Sequence, residues 1–481
     1  MNLERTSLIL FVSSVASKIL GFVGSVYFAR ELGPEIIGIF ALVQAVIGML
    51  GVPADFGVQG AAEKRITETN NQIEKNRLFT ASIVILVVAF IVVVLLLFVF
   101  RGFVVQYIGE PLVIELSVIL FLTILYQLLT AVLRAEFKIE QTAAIDVVKN
   151  TVRVAISIGL ILLGYGIYAL ITGLMASMVI GLGASVLVLG LGIARPERDH
   201  FRSLYEFSKY NVILRTSGLI YTWIDTLMIG FFLTQSLVGV YEVAWTLTGV
   251  VVLASKAVSQ TLFPNFSQFV SNDNLGELER TLPKAISYSL LIPIPAFFGV
   301  LLLSQDILSI IYGSAFSAGW LVLILLTGER VIHSVHTVIY KTLLAFDRPD
   351  VAFRISGLTM VLNGVLNAIL IPQIGIAGAA SAFVISYLVN SIIYYYYVSQ
   401  RVPIALPSRE IGWMLLSSIV MSVVVYLIRE SYSITTVPEL SLIIGIAVIA
   451  YCLMMLGNSS IRRRIFSKID RSFDLQYGRH D

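Results

Sequence analysis

Apolar runs long enough to cross a bilayer recur along the chain from end to end, and they limit the fold more than any other feature. A helix needs about 20 mostly apolar residues to span a bilayer core. Of the 481 residues, 57% are hydrophobic and 13% are charged, whereas soluble domains carry about 25% charged residues. The sequence therefore predicts an all-α integral membrane protein.

The apolar runs predict about fourteen transmembrane helices. The turn between the fifth and the sixth is placed at Gly164-Tyr165-Gly166, because glycine favours turns. The predicted spans are 8–29, 36–57, 78–100, 112–133, 145–163, 167–193, 211–233, 237–262, 283–304, 318–345, 351–371, 375–399, 410–428 and 439–457.

The distribution of lysine and arginine predicts the topology. Cytoplasmic loops of membrane proteins carry an excess of these residues. With the N-terminus inside, the predicted cytoplasmic segments hold 24 of them and the outer loops hold three: Arg30, Arg101 and Arg429. We therefore expect a multi-pass protein of the cell (plasma or inner) membrane, with both termini in the cytoplasm.

Two short motifs occur twice and indicate an internal repeat. Residues 32–40, LGPEIIGIF, align with residues 233–241, LTQSLVGVY, and GIYA at 166–169 aligns with GIAG at 375–378. Both repeats begin on the same side of the membrane, six helices apart, so the halves are parallel. Two parallel six-helix bundles around a central cavity, with two extra C-terminal helices, are typical of a transporter.

This organisation divides the chain into five predicted parts. They are an N-terminal six-helix lobe (1–193), a cytoplasmic linker (194–210), a C-terminal six-helix lobe (211–399), two appended transmembrane helices (400–457) and a basic cytoplasmic tail (458–481).

Sequence signals of catalysis and of cofactor binding are weak. No P-loop motif occurs, and the single cysteine, Cys452, excludes a multi-cysteine metal site. Glu329, His333 and His336 share a helical face, where a hydrogen-bonded polar stripe is favoured over a metal site. We predict a protein that is not an enzyme, with no metal, no cofactor and no nucleic-acid partner.

Charged residues inside the predicted spans are the candidate functional residues. Such groups face the bundle interior or a watery cavity, where they pair or contact cargo. The basic residues are Lys18, Lys149, Arg153, Arg215, Lys256 and Arg330, and the acidic ones are Glu115, Asp146, Asp225, Glu242 and Glu329, with Asp55 near an interface. Pairing of Lys18 with Asp225, or of Arg330 with Glu242, is the alternative to cargo binding.

Lys18 lies deep in the first predicted span, where insertion of a lysine is unfavourable by about 2.5–3.5 kcal/mol. It adjoins a stripe of small residues, Ser13, Ser17, Gly21 and Ser25, which lets another helix approach closely. A cation beside such a contact suits an anionic cargo such as a phosphate or pyrophosphate head group. We expect Lys18, Arg153, Arg215 and Arg330 to bind substrate, and Asp55, Asp225, Glu242 and Glu329 to couple an ion or pair internally.

Several stretches together resemble the polysaccharide and O-antigen flippases of the multidrug/oligosaccharidyl-lipid/polysaccharide exporter superfamily. They follow one another in the family's order from the first helix to about the twelfth. They are SKILGF (17–22), ARELGPEIIGIF (29–40), ADFG (54–57), Asp225 followed by VGVY (238–241), LFP (262–264) and LLAFDRP (343–349).

The resemblance implies a flippase that moves a polyprenyl-(pyro)phosphate-linked oligosaccharide from the cytoplasmic to the outer leaflet by alternating access. Its partners would be that lipid-linked substrate, membrane lipids and a coupling H⁺ or Na⁺. The lipid II flippases of this superfamily carry a basic residue in a similar first-helix stretch, and Lys18 occupies that place. Two alternatives remain: a cation-coupled multidrug or metabolite exporter of the same fold, and a membrane-embedded glycosyltransferase or polymerase.

Overall fold

The computed structural model of the protein describes residues 3–457, apart from the side chains of residues 3–16, 18, 210–221 and 254. This part of the chain is helical, with a short 3₁₀ helix at Ser314–Gly319 and no strand. Its seventeen α-helices are α1 Leu3–Asp55, α2 Val58–Glu68, α3 Gln72–Val99, α4 Arg101–Ile108, α5 Val113–Ala135, α6 Ile139–Leu162, α7 Ile167–Val188, α8 Arg198–Phe232, α9 Gln235–Thr248, α10 Leu253–Ser271, α11 Leu275–Leu290, α12 Pro293–Ile311, α13 Trp320–Ala345, α14 Pro349–Ile374, α15 Ile376–Ser399, α16 Ser408–Ser431 and α17 Val437–Leu456.

The all-helical membrane architecture predicted from the sequence is confirmed. Within the described residues, ten helical segments are long and apolar enough to cross a membrane. The predicted count of fourteen is approximate, because Ile19–Asp55 counts as one such segment where the sequence predicts two helices. In addition α6, which corresponds to the fifth predicted span, carries four charged residues and is not among the ten.

A glycine divides α1 into the two helical halves that the sequence predicts. Gly33 has φ 76° and ψ 174°, a non-helical conformation inside α1 that a residue with a Cβ atom rarely adopts. Pro34 is the next residue and begins the second half. Proline is tolerated there because the N–H that it lacks would have no partner within the helix at this position. The break between the first two predicted spans is therefore a kink within α1.

The prediction of a single helix over 237–262 is wrong. The structure has α9 and α10 there, separated after Thr248. Gly249 and three consecutive valines follow Thr248, and both residue types lower helix propensity. Backbone bonds of the i to i+3 type from Gly249 and Val250 to Thr246 and Leu247 replace the regular α-helical pattern.

Further helix boundaries were not expected from the apolar runs. The short helices α2 and α4 are additional, and α8 begins at Arg198, before the predicted residue 211. The predicted span 283–304 is interrupted between α11 and α12, because Pro293 has no backbone N–H with which to continue the helical hydrogen bonds.

The turns of the second repeated motif each contain a glycine with a positive φ angle. Gly166, which precedes α7, has φ 53°, and Gly375, which precedes α15, has φ 63°. Both values lie in the left-handed region that glycine enters without strain. The sequence alignment of these two turns therefore has a structural counterpart.

The chain forms two compact units. The first takes in residues up to Glu242 together with Ile371–Ile376, and the second takes in Val243–Leu370 and the chain from Ala377 onward. In the first, α6 packs on α1 and α7, and a buried core formed by other helices includes Val43, Leu86 and Leu128. In the second, α12 packs on α13 and α16, around a core that includes Leu282 and Met414.

Polar side chains of α3 hold the segment that connects α7 to α8. Side chains four residues apart on α3 bond backbone groups two residues apart on this segment: Gln72 to Gly190 (2.9 Å), Asn76 to Gly192 (3.0 Å) and Thr80 to Ala194 (3.1 Å). The spacings match, because four helical residues rise about 6 Å and two extended residues about 6.6 Å. The start of α8 is therefore fixed to α3 within the first unit.

Candidate functional site

Two of the predicted substrate-binding residues lie outside the described side chains. Lys18 is part of α1 and Arg215 is part of α8, but the structure describes only their backbone. Their predicted roles therefore stay predictions.

Two glycines of α1 face α6: Gly21, which belongs to the small-residue stripe, and Gly24. A Cβ atom on Gly21 would stand 3.8 Å from Nη2 of Arg153, and a Cβ atom on Gly24 would stand 3.0 Å from Cγ2 of Val154. The absence of side chains at these glycines lets the two helices approach closely. The structure thus places a predicted packing position of α1 directly beside a predicted cargo-binding arginine.

Among the described side chains, Arg153 has no acidic partner. Its Nε atom is buried and lacks a hydrogen-bond partner in the described chain, which also offers it no carboxylate. An arginine in a membrane span normally pairs with an acid or with backbone carbonyl groups. Its guanidinium carries a fixed charge and several donors that an oxyanion can satisfy.

Lys149, one turn before Arg153 on α6, is satisfied within the protein. Its Nζ lies 3.1 Å from Oδ1 of Asp146 and 4.2 Å from the ring centroid of Tyr126. The Tyr126 hydroxyl donates a hydrogen bond of 2.8 Å to the same carboxylate oxygen. This cluster explains Lys149 as a structural residue, in contrast to Arg153.

Arg330 is buried in the second unit and paired with its neighbour in sequence. Nη1 lies 2.9 Å from Oε2 of Glu329, and these two residues are 5% and 0% exposed. Nε donates to the Thr248 hydroxyl at 3.2 Å, and the guanidinium lies 4.5 Å from the ring centroid of Trp245. Within the second unit, Arg330 therefore pairs with Glu329.

The polar stripe that the sequence predicts on α13 lies among aromatic rings. Nδ1 of His333 is 3.5 Å from Oε1 of Glu329, and its ring stacks on Tyr387 at 5.1 Å between centroids. The His336 ring meets Tyr387 and Tyr394 edge-on, each at 4.9 Å. In the described chain no group of three or more His, Cys, Asp or Glu side chains is placed to hold a metal.

Asp55 lies at the joint between α1 and α2. Its buried carboxylate accepts a hydrogen bond of 3.3 Å from the backbone N–H of Gln59, in the first turn of α2. The backbone N–H groups in the first turn of a helix have no acceptor within the helix, and a carboxylate in this position supplies one. This contact gives Asp55 a structural role at the joint.

Asp225 and Glu242 each bond a hydroxyl group in the first unit. Asp225 accepts a hydrogen bond of 3.0 Å from Tyr241, and Glu242 accepts one from Thr226. Asp225 is 4% exposed. The structure therefore brings these two predicted acidic residues together across α8 and α9.

An apolar groove of about 990 Å³ was not expected from the sequence. It lies in the second unit between α11, α12, α16 and α17, and its walls include Leu291, Ala296, Met421, Val448 and Tyr451. The appended helices therefore form half of a hydrophobic groove. No charge pattern marks it, because the side chains that line it are almost all apolar.

The sequence has matches in a protein family and among full-length relatives. Residues 27–320 match the family described as polysaccharide biosynthesis protein. The chain is 35% identical over 471 residues to the probable low-salt glycan biosynthesis flippase Agl15 of Haloferax volcanii, covering 98% of this chain and 99% of the relative. It is 30% identical to the probable flippase AglR of the same organism, with the same coverage.

Solved structures share the fold at low identity. The lipid II flippase MurJ in an inward closed conformation matches with a TM-score of 0.77 and 17% identity, covering 95% of this chain and 99% of that one. An inward-facing multidrug resistance transporter of the MATE family matches with a TM-score of 0.68 and 13% identity, covering 82% and 98%. These matches confirm the transporter fold.

Proposed function

The chain belongs to the polysaccharide biosynthesis protein family, and from this membership we propose that it is a flippase for a lipid-linked oligosaccharide. The observation that carries the proposal is 35% identity, along almost the whole of both chains, to a relative named as a glycan biosynthesis flippase. Its multi-span helical fold supports transport as its activity, in place of catalysis.

The proposed substrate is a polyprenyl-(pyro)phosphate-linked oligosaccharide, which moves from the cytoplasmic to the outer leaflet by alternating access. Such a lipid has three parts with different chemistry: an anionic phosphate, a polar glycan and an apolar chain. Arg153 and the apolar groove give the first and the third part a matching environment within the chain.

Arg153 is our proposed phosphate-binding residue among the described basic side chains. The buried Nε of Arg153 has no hydrogen-bond partner among the described residues, which is unfavourable, and an oxyanion that accepts its hydrogen bond removes this penalty. Lys149 and Arg330 are held by Asp146 and Glu329, at 3.1 and 2.9 Å. Lys18 and Arg215 remain proposed contacts of the same head group.

The groove between α11, α12, α16 and α17 is our proposed place for the polyprenyl chain. Its volume of about 990 Å³ and its aliphatic walls suit a long, flexible hydrocarbon. The sulfur-containing side chains Met414, Met421 and Met455 adapt their shape to such a ligand. This role would explain why the chain has two helices that the six-helix repeat lacks.

Coupling to H⁺ or Na⁺ is a finer part of the proposal. Asp225, Glu242 and Glu329 are the candidate coupling residues, because they are acidic and lie in predicted spans. Both termini are proposed to be cytoplasmic, with fourteen crossings and a location in the cell membrane.

Purified protein in lipid vesicles tests the function. The substrate is a polyprenyl-phosphate oligosaccharide with a fluorophore on its sugar, and dithionite, which does not cross the membrane, bleaches only the outward-facing fraction. We expect vesicles with the protein to lose more fluorescence than protein-free vesicles, in the presence or absence of an imposed H⁺ or Na⁺ gradient. Movement of a cationic dye without movement of the glycan lipid would contradict the proposal and favour the exporter.

A further inference from the structure

One face of α13 in the second unit carries a row of polar and aromatic side chains, which we call the polar face of α13. Its members fall within an arc of about 100°, because an α-helix turns by about 100° per residue. They are the partly exposed residues His333, Thr337, Tyr340 and Lys341. Every residue from Val322 to Ala345 is buried or only partly exposed, so α13 is surrounded by other parts of the chain. In such a membrane helix a polar face lies toward a watery space, since contact with lipid is unfavourable for polar groups.

Two members of the polar face present aromatic rings that buried rings hold in place. The His333 ring stacks on Tyr387 with 5.1 Å between centroids, and the Tyr340 ring stacks on His336 at 6.0 Å. Tyr387 and His336 are 6% and 8% exposed, whereas the His333 side chain is 19% exposed. In each pair the buried ring covers one face of the partly exposed ring, so the orientation of that ring is set.

Tyr394 of α15 supports these rings from within the core. Its ring meets His336 edge-on at 4.9 Å and Tyr340 edge-on at 5.8 Å. Its hydroxyl donates a hydrogen bond of 2.9 Å to the carbonyl of Ala352, which anchors the ring to the backbone of α14. The aromatic part of the polar face is therefore preorganised, and a ligand that packs on it loses little affinity to the ordering of side chains.

Hydrogen-bonding groups lie beside the two rings. Nδ1 of His333 faces Glu329 at 3.5 Å, which leaves Nε2 as the ring nitrogen available to a ligand. The Thr337 hydroxyl donates to the His333 carbonyl at 2.7 Å, and its oxygen keeps lone pairs that accept hydrogen bonds. Nζ of Lys341 lies 4.9 Å from the ring centroid of Phe263 and has no acidic partner among the described side chains. The polar face thus offers both donors and acceptors.

This combination of groups suits a sugar better than the other two parts of a lipid-linked glycan. A pyranose ring has an apolar face of C–H groups, which packs on an aromatic ring, and hydroxyl groups around its rim, which need donors and acceptors. A hydrocarbon chain would bury Thr337 and Lys341 without supplying any hydrogen bond. A phosphate would bond the ammonium of Lys341 but has no apolar face for the rings.

We propose that the polar face of α13 binds the glycan of the lipid-linked substrate. This inference rests on the proposed flippase function, and it supplies the part of the substrate that Arg153 and the apolar groove leave unassigned. Tyr340 and His333 pack against sugar rings, while Thr337 and Lys341 exchange hydrogen bonds with sugar hydroxyls.

Two probes with the same lipid measure what the glycan contributes to binding. The first is a polyprenyl phosphate that carries a tetrasaccharide of glucose. The second carries a methyl group in place of the glycan, which keeps the charge of the phosphodiester. Each has a fluorophore on its lipid, and dissociation constants are measured by thermophoresis with the purified full-length protein. We expect the unchanged chain to bind the tetrasaccharide probe at least tenfold more tightly than the methyl probe.

Substitutions on the polar face should weaken binding of the tetrasaccharide probe alone. Tyr340→Leu removes a ring and keeps much of its volume, and Lys341→Gln removes the ammonium group. We expect each to weaken this probe about two- to tenfold, the range for one aromatic contact or one hydrogen bond, with no change for the methyl probe. Tyr396→Leu is the matched control, because Tyr396 lies on α15 and is 60% exposed.

Equal affinity of the unchanged chain for the two probes would overturn the proposal, and so would equal losses for both probes in the variants. Lys341→Gln keeps the test decisive if Tyr340→Leu fails to fold, because Lys341 is partly exposed and forms no ion pair among the described side chains. The site and the function fail separately. Glycan-selective binding without flipping in the vesicle assay would refute the function alone, and flipping without glycan-selective binding would refute the site alone.

Discussion

The guanidinium of Arg153 faces Gly21 across the contact between α1 and α6, with Nη2 3.8 Å from the point where a Cβ atom of the glycine would stand. This relationship joins the two features that the sequence marks in the first lobe, a stripe of small residues and an intramembrane cation. The stripe brings α1 close to α6, and the glycine leaves open the space beside the charge. An anionic head group would find a donor there that no carboxylate occupies.

Replacement of Arg153 should impair transport more than insertion. Arg153→Gln removes a charge-assisted contact of about 1.5–3 kcal/mol, so we expect glycan-lipid flipping in vesicles to fall about ten- to hundredfold. Arg153→Lys should retain part of the activity, because it keeps the charge but loses the two-pronged geometry. Lys149→Gln is the matched control one turn away, and a loss as large as that of Arg153→Gln would contradict the assignment.

The glycines of α1 should respond differently to alanine. Gly21→Ala creates an ordinary contact at 3.8 Å, whereas Gly24→Ala places a methyl group 3.0 Å from Val154. We expect Gly21→Ala to leave thermal stability in detergent unchanged and Gly24→Ala to destabilise the protein by about 1 kcal/mol, the lower end of overpacking effects. The reverse order of the two melting temperatures would show that the α1–α6 contact is misplaced.

The sequence is most informative where the signal is local. The apolar runs, the glycine at residue 33 and the repeated glycines at 166 and 375 predict spans and turns that the structure confirms, because each depends on a few adjacent residues. Helices α2 and α4 are not predicted in this way, because they are short and lie outside the apolar runs.

Contacts between distant residues could not be derived in the same way. The alignment of residues 32–40 with 233–241 identifies equivalent glycines, but equivalence alone does not bring two residues into contact. The pairing of Arg330 with Glu329 is also unexpected, because adjacent helix residues point about 100° apart and do not normally face each other. Trp245 and Thr248, which help to bury Arg330, belong to another helix. A local sequence pattern does not predict such a contact.

Arg330 should matter for stability as well as transport. Arg330→Ala leaves Glu329 fully buried beside no arginine, and the loss of one partner of a buried ion pair costs about 3–5 kcal/mol. We expect strongly reduced yield and melting temperature for the single variant. The double variant Glu329→Gln, Arg330→Met removes both charges and should recover most of the stability. Failure of this recovery, with normal insertion of Arg330→Ala, would favour cargo binding by Arg330.

The predicted topology can be checked at two serines of the described chain. In a Cys452→Ser background, a cysteine at Ser317 in the 3₁₀ helix should react with an impermeant reagent applied to intact cells. A cysteine at Ser271, the last residue of α10, should react only after the membrane is opened. Reversed labelling would contradict the positive-inside assignment.

Lys18 gives the last prediction, and it separates cargo binding from internal pairing. If Lys18 attracts the phosphate of the lipid carrier, its charge matters more than its shape, since lysine acts as a compact point charge. Lys18→Arg should then keep substantial flipping activity, and Lys18→Ala should lose most of it at normal membrane levels. Asp225, whose carboxylate already accepts a hydrogen bond from Tyr241, is the alternative partner. If Lys18 only neutralised Asp225, the double variant Lys18→Ala, Asp225→Ala would regain transport, whereas cargo binding by Lys18 requires it to stay inactive in the vesicle assay.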